Sequence, residues 1–242
     1  MTVLVVGASG ATGRKLVAQL LAQNHNVKVI VRLPDKLPDS WKTNNNLQII
    51  SASILELSDE DMRKITCDCN AIASCLGHNL TFKGIYGNPR RLVTDATSRL
   101  CNAIASRNLQ RPTKFVLMNT SGNRNRDLNE PISLAQKCVI GLLRLLLPPH
   151  VDNEKAADYL RTEIGQYNNT IEWVVVRPDD LINQEEVSGY EIHQSPTRSA
   201  IFNAGKVSRI NVGHFMASLI NDDVLWKKWK GQMPVIYSKY SS

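Results

Sequence analysis

The first thirteen residues constrain the fold more tightly than any other stretch. An apolar run from Val3 to Val6 ends in Gly7-Ala8-Ser9-Gly10-Ala11-Thr12-Gly13, and the chain then presents Leu16, Val17, Leu20 and Leu21 as one face of an amphipathic helix. After a turn at Asn24-His25-Asn26 comes Val27-Lys28-Val29-Ile30-Val31, a β-branched run suited to a parallel strand buried on both faces. In such a strand, turn, helix and strand, the first glycine permits the tight turn and the second lets the backbone approach a pyrophosphate. The third lets helix and strand pack closely. Free N–H groups and a partial positive charge at the helix start favour the anion, and Ser9 and Thr12 bring hydroxyls.

The alternation continues. Strand patterns fall near Leu47–Ile50, Ala71–Cys75, Phe115–Asn119 and Trp173–Val176, with helical patterns near Asp59–Lys64, Val93–Arg107, Ser133–Leu147 and Glu154–Gln166. Right-handed crossovers then give an α/β, Rossmann-type doubly wound parallel sheet with helices on both faces. Past Asp180 the pattern loosens, with a Gly/Ser/Pro stretch at Ser188–Ser199, a short helix near Val212–Ile220 and a strand near Pro234–Tyr237. The expectation is one domain over 1–242, with 181–242 a small substrate-side cap. The helix from Leu134 to Leu147 carries more leucines than one face requires and reads as a buried core helix, with the lining of an apolar pocket or a dimer contact as the alternatives.

Composition sets limits. With 43% apolar and 21% charged residues, this is a globular chain, and its most apolar run, Cys138–Leu147, is too short to span a membrane. The start at Met1 enters a strand without a basic leader, so the expected compartment is the cytoplasm. Five cysteines, Cys67, Cys69, Cys75, Cys101 and Cys138, read as reduced core residues, and no metal site is expected from them. Trp226-Lys227-Lys228-Trp229-Lys230 reads as a solvated helix end, not a nucleic-acid contact. The net charge of +7 suits a polyanionic small molecule.

The end of the second strand decides which dinucleotide binds. An acidic residue there would hold the ribose diol of NAD, but Arg32 stands in its place, able to pair with the 2′-phosphate of NADP, with Lys36 a second cation. NADP(H) is therefore preferred. Asp35 leaves NAD(H) as the other dinucleotide the loop can take.

At these residues the sequence resembles the atypical short-chain dehydrogenase/reductases, the NmrA-like or NAD(P)H-binding group. The likeness extends through Ser74-Cys75-Leu76-Gly77, Asn119-Thr120-Ser121-Gly122 and Val174-Val175-Val176-Arg177-Pro178. The stretch Ser208–Met216 is similar to the biliverdin reductase B and flavin reductase branch. The resemblance implies Ser53 and Ile54 near the adenine and Cys75, Leu76 and Gly77 along the ribose. It implies Asn119, Thr120 and Ser121 beside the nicotinamide, with Arg177, Pro178 and Asp179 closing the amide side.

One departure counts against ordinary carbonyl chemistry. Standard members of the superfamily use a Tyr four residues before a Lys as proton donor, and here Pro149 and Asn153 fill those slots. Ser121 is the candidate polar contact, with Lys155 and Asp180 as candidate donors. Hydride transfer to a flavin, quinone or tetrapyrrole needs little help with protonation. The expectation is an NADP(H)-dependent oxidoreductase with a small-molecule acceptor, as a monomer or weak dimer without nucleic acid; the alternative is a non-catalytic redox sensor acting through a protein partner. Phe82 and Tyr86, in a long loop from His78 to Arg91, are candidates to stack on a flat ring, and Arg124 to clamp an anionic group. His78 and His214 read as hydrogen-bonded structural residues.

Overall fold

A computed structural model of the chain describes residues 1–79, 81–107 and 111–239. The first half runs β1 (Thr2–Val6), α1 (Ala11–Ala22), β2 (Asn26–Val31), α2 (Asp39–Lys42), β3 (Leu47–Ser51), α3 (Asp59–Thr66), β4 (Ala71–Ser74), α4 (Phe82–Tyr86), α5 (Leu92–Ala105) and β5 (Thr113–Met118). It continues through α6 (Leu134–Leu146), α7 (Pro148–Tyr159), β6 (Ile171–Pro178), β7 (Asp180–Ile182), β8 (Tyr190–His193) and β9 (Lys206–Ser208). Helices α8 (Arg209–Asn221) and α9 (Asp223–Trp229) and strand β10 (Val235–Ser238) close the chain.

The main sheet has the order β3-β2-β1-β4-β5-β6-β10-β8, every pairing parallel except the edge pair β10–β8. Strand β1 sits where the order reverses, the place where open α/β sheets bind ligands. Because side chains alternate across a strand, Val3 and Val5 enter one core with Leu16, Leu20, Phe215 and Trp226, while Leu4 and Val6 enter the other with Leu100, Ile104, Phe115 and Leu160. That two-sided burial is why these strands read as unbroken apolar runs. Serine and aspartate caps start several helices: Ser58 accepts from Asp61 N, Ser133 from Gln136 N, Ser208 from Asn211 N, and Asp222 from Val224 N and Leu225 N. Each cap contributes on the order of 1 kcal/mol.

Three expectations need correction. The segment after residue 180 is more than a cap, because β10 and β8 extend the main sheet and α8 packs against α1. Among the described residues only β7 and β9 form a separate two-stranded layer. The leucine-rich α6 is not a core helix: Ile140 is its one buried residue, and Leu134, Leu142, Leu145 and Leu146 face solvent. Of the cysteines, Cys69, Cys75 and Cys101 are buried, but Cys67 and Cys138 are exposed. Among the described residues no helix is long and apolar enough to cross a membrane. In α9, Trp226 and Trp229 are buried while Lys227 and Lys228 stay in solvent.

Candidate functional site

The glycine turn leaves β1 with Gly7 in the left-handed region at φ 76°, where a Cβ would also strike the backbone of Cys75 and Leu76 on the neighbouring strand. A Cβ on Gly13 would overlap the Gly7 carbonyl and stand 2.9 Å from Ala8 Cα, so the third glycine lets α1 begin directly beneath the turn. Helix α1 has no side-chain cap and no acid in its first turn. Its leading N–H groups and positive end are therefore left for an external anion.

This turn floors a cleft of about 540 Å³ that Gly7, Ser9, Gly10, Arg32, Ser53 and Ile54 line on one side. Cys75, Leu76 and Gly77 line it from the end of β4, and Asn88, Pro89 and Leu92 from the segment entering α5. The expected adenine and ribose residues are thus brought together. Ala8, Thr12 and Gly13 are buried under the turn and outside the lining, so the Thr12 hydroxyl is not presented to the cleft; Ala11, exposed, opens α1. Arg32 is exposed at the β2 end, whereas Asp35 is absent from the lining. The Cys75 thiol, pushed up to about 12 by burial, is an inert wall.

Arg14 was missed by the sequence reading. Its Nε donates to Ser9 O at 3.0 Å and its Nη2 to Lys36 O at 2.7 Å, tying the glycine turn to the loop after β2 that carries Arg32. A signal existed, because a cation in the first turns of a helix sits at the end its dipole disfavours.

A second pocket, of about 430 Å³, opens past β5 and β6, with Ser121, Gly122 and Arg124 on one wall and Pro196, Thr197 and Arg198 on the other. Ser121 Oγ donates to Asp179 Oδ1 at 2.8 Å, and Asp179 Oδ2 accepts from Gly205 N at 2.8 Å. Burial pushes the Asp179 carboxyl up, opposed by these hydrogen bonds. With its hydrogen committed to Asp179, Ser121 offers a ligand lone pairs only. Asn119 is engaged as well, donating from Nδ2 to Asn153 O at 2.8 Å, and Thr120 Oγ1 accepts from Gly122 N at 3.2 Å. The Nε of Arg124 is buried without a partner among the described residues.

Other sequence-predicted residues take different roles. Arg177 does not close a ligand site with its side chain. The guanidinium is fully buried and donates to Glu130 at 2.7 and 3.1 Å and to the carbonyls of Met233, Asn123 and Gln194. Pro178 contributes its carbonyl, accepting from Ser121 N at 2.8 Å. Asp180 is exposed on β7, so the aspartate that meets Ser121 is Asp179. Lys155 is exposed on α7 and faces a shallow hollow of about 250 Å³ shared with Arg90, Arg91 and Arg144, away from Ser121. Phe82 and Tyr86 lie on α4, exposed, their rings 5.0 Å apart. His78 Nε2 meets Asp152 Oδ2 at 2.7 Å, and His214 Nδ1 meets the Tyr190 hydroxyl at 2.7 Å, as hydrogen-bonded structural residues do.

A glycine turn with no room for a Cβ at Gly7 or Gly13, an uncapped helix start and a cleft leading to Arg32 fit a pyrophosphate-bearing dinucleotide. The family model described as NAD(P)H-binding matches residues 7–223, nine-tenths of the chain. The chain belongs to the NAD(P)H-binding family. The expected NAD(P)H-binding resemblance and the Rossmann-type fold are thus borne out. A chloroplastic protein of Arabidopsis thaliana, At2g34460, whose function is uncharacterized, is 28% identical over 181 residues, which is 75% of this chain and 59% of that protein. Among solved structures, the fold is shared with the oxidoreductase ylbE of Lactococcus lactis, at TM-score 0.68 and 17% identity over 100% of this chain and 93% of that one. A wide-type short-chain dehydrogenase/reductase of Veillonella parvula, solved with NADP, aligns at TM-score 0.70 and 16% identity over 98% and 94% of the two chains. The anaerobillin reductase ChuY of Escherichia coli O157:H7 aligns at TM-score 0.70 and 14% identity over 100% and 99%.

Proposed function

We propose that the protein is an NADP(H)-dependent reductase that delivers hydride to a flat, conjugated acceptor of the flavin, quinone or tetrapyrrole kind. The observation that carries the reading is Arg32, exposed on the rim of the dinucleotide cleft where a ribose-binding acid would otherwise stand. A guanidinium there pairs bidentately with a 2′-phosphate, and Arg14 braces the loop that presents it. The nicotinamide supplies hydride when bound. The chain holds it with the Ser121 lone pairs and the backbone after β6, and the pocket of Ser121, Arg124 and Arg198 receives the acceptor. The two arginines favour an acceptor carrying a carboxylate or phosphate.

A second reading, a redox-reporting protein acting through a partner, is favoured by the exposed leucines of α6. Turnover separates the two: steady NADPH oxidation with a quinone supports the reductase, and binding without turnover supports the reporter.

The test is a paired titration with NADPH and NADH, read by nicotinamide fluorescence, on wild type and Arg32→Ala. NADPH is expected to bind at least about tenfold more tightly, a difference of about 1.4 kcal/mol, and the substitution to remove most of it. Failure of both nucleotides to bind would overturn the reading.

A further inference from the structure

Helix α6 divides into two sides of different character. At about 100° per residue, Ser133, Gln136 and Ile140 fall on one side, and these line the pocket of Ser121, Arg124 and Arg198. Leu134, Ala135, Cys138, Leu142, Leu145 and Leu146 fall on the other, and all six are exposed. Leu134 and Leu145 are 79% and 78% exposed, so the fold leaves their side chains almost wholly outside its own packing. A continuous apolar stripe of this kind on a surface helix marks a contact made with something else.

The charge around the stripe has one sign. No acidic residue occurs between Glu130 and Asp152, or between Asp68 and Asp95. Lys137 and Arg144 flank the leucines on α6 itself, and the hollow of about 250 Å³ at the C-terminal end of α6 brings Arg144 together with Arg90, Arg91 and Lys155. Three carboxylates adjoin these cations, and each is engaged within the protein. Glu154 holds Arg144, with Nε–Oε2 and Nη2–Oε1 both at 2.9 Å, and Asp95 lies 3.4 Å from Arg91. Asp152 is buried and accepts from Val93 N, Thr94 N and Thr94 Oγ1. Exposed Phe82 and Tyr86 sit on α4, which packs on α7 as α6 does, and the Tyr86 carbonyl accepts from Arg90 Nε at 3.2 Å.

We infer that the outer side of α6 docks on an anionic phospholipid surface, its leucines entering the acyl boundary while the surrounding cations meet lipid phosphates and carboxylates. Leucines on one side of a helix with lysine and arginine beside them are what an interfacial helix presents to such a surface. A second copy of the chain fits this face poorly, because a two-fold contact sets the same cationic rim against itself. The inner side of α6 walls the pocket of Ser121 and Arg124, so docking holds that pocket at the lipid boundary. Docking depends on α6 and its rim alone and is independent of the reductase reading.

The experiment is co-sedimentation of the full chain with vesicles of phosphatidylcholine alone and of phosphatidylcholine mixed equally with phosphatidylserine, at low and high salt. Wild type is compared with the double variants Leu142→Gln/Leu145→Gln and Arg90→Gln/Lys155→Gln. All four side chains are exposed, so both variants are expected to keep the wild-type melting temperature. Wild type is expected to bind the mixed vesicles at least about tenfold more tightly than the neutral ones, with the preference shrinking as salt rises. Each double variant is expected to lose about tenfold in binding to the mixed vesicles, one through apolar area and the other through charge. Absence of binding to either vesicle, or a leucine variant that binds as wild type does, overturns the inference. Equal binding to the two kinds of vesicle overturns its anionic half. Size-exclusion chromatography covers the remaining occupant: a wild-type dimer that the leucine substitutions disperse, with no vesicle binding, assigns the face to a second copy and overturns lipid docking. NADPH titration of the same samples reads the reductase proposal separately, since a chain that binds vesicles and no nucleotide overturns that proposal alone.

Discussion

Replacing Glu130 by alanine strands a guanidinium where water does not reach. Arg177 is completely buried, and of the five hydrogen bonds it donates, two go to the Glu130 carboxylate. The three carbonyls that would remain carry no formal charge to balance it. Breaking a buried pair in this way costs about 3–5 kcal/mol. At about 2–4 °C per kcal/mol for a chain of this size, the melting temperature is expected to fall by roughly 6–20 °C. Arg177→Met is expected to destabilise as well, since it leaves Glu130 buried with only the Asn125 N–H at 2.8 Å. The double variant should lose less than the two singles together, with a coupling on the order of 2 kcal/mol, because it leaves no orphaned charge. Urea denaturation and calorimetry on the four proteins measure this. A loss below about 1 kcal/mol for Glu130→Ala would refute the reasoning, since the carbonyls alone would then be holding the charge.

Glu154 sets the acid limb of stability. Its folded value of about 2 lies below its ordinary 4.5, so its contribution is fully present above about pH 4.5 and is lost as pH falls toward 2. The upper limit is about 3 kcal/mol, reduced because Arg144 is half-exposed. Urea midpoints measured from about pH 6 down to about pH 2 should therefore slope less in Glu154→Gln, and an unchanged slope would locate the acid sensitivity elsewhere. The cysteines should divide by burial. Cys67 and Cys138 react with a disulfide reagent in the native protein, while Cys69 and Cys75, pushed up to about 12, and the still higher Cys101 react only after denaturation. A third fast thiol would show that one of the cores opens.

What the sequence made legible is local. The glycine turn, its flanking strand and helix, and Arg32 lie within one βαβ unit, so their spacing carries their geometry. Strand β8 was lost because Ser188–Ser199 looks like loop by composition, although Tyr190 and Ile192 alternate with exposed Glu191 and pack half-buried against the core. Helix α6 was misread for the opposite reason: excess leucine signals burial only when a partner surface exists, and along α6 only Ile140 finds one. Arg177 was misassigned because position at a strand end suggests a ligand, whereas its partner Glu130 lies 47 residues away in a loop of no recognisable pattern.

The two ends of the site are consequently built from different materials. At the dinucleotide end the contacts are backbone: a glycine turn, a helix start and strand ends whose side chains mostly face away. At the end proposed for the acceptor they are long-range side-chain pairs, Ser121 with Asp179 and Arg177 with Glu130. Backbone geometry tolerates few substitutions, because a Cβ on Gly7 or Gly13 would strike the neighbouring backbone, whereas a paired loop can be rebuilt by changing both partners. On the reductase reading proposed above, substitutions in the 121–133 and 194–200 segments should therefore change which acceptor is reduced while leaving the NADPH preference proposed for Arg32 in place. A single such substitution that shifted both would mean that the two pockets close as one unit.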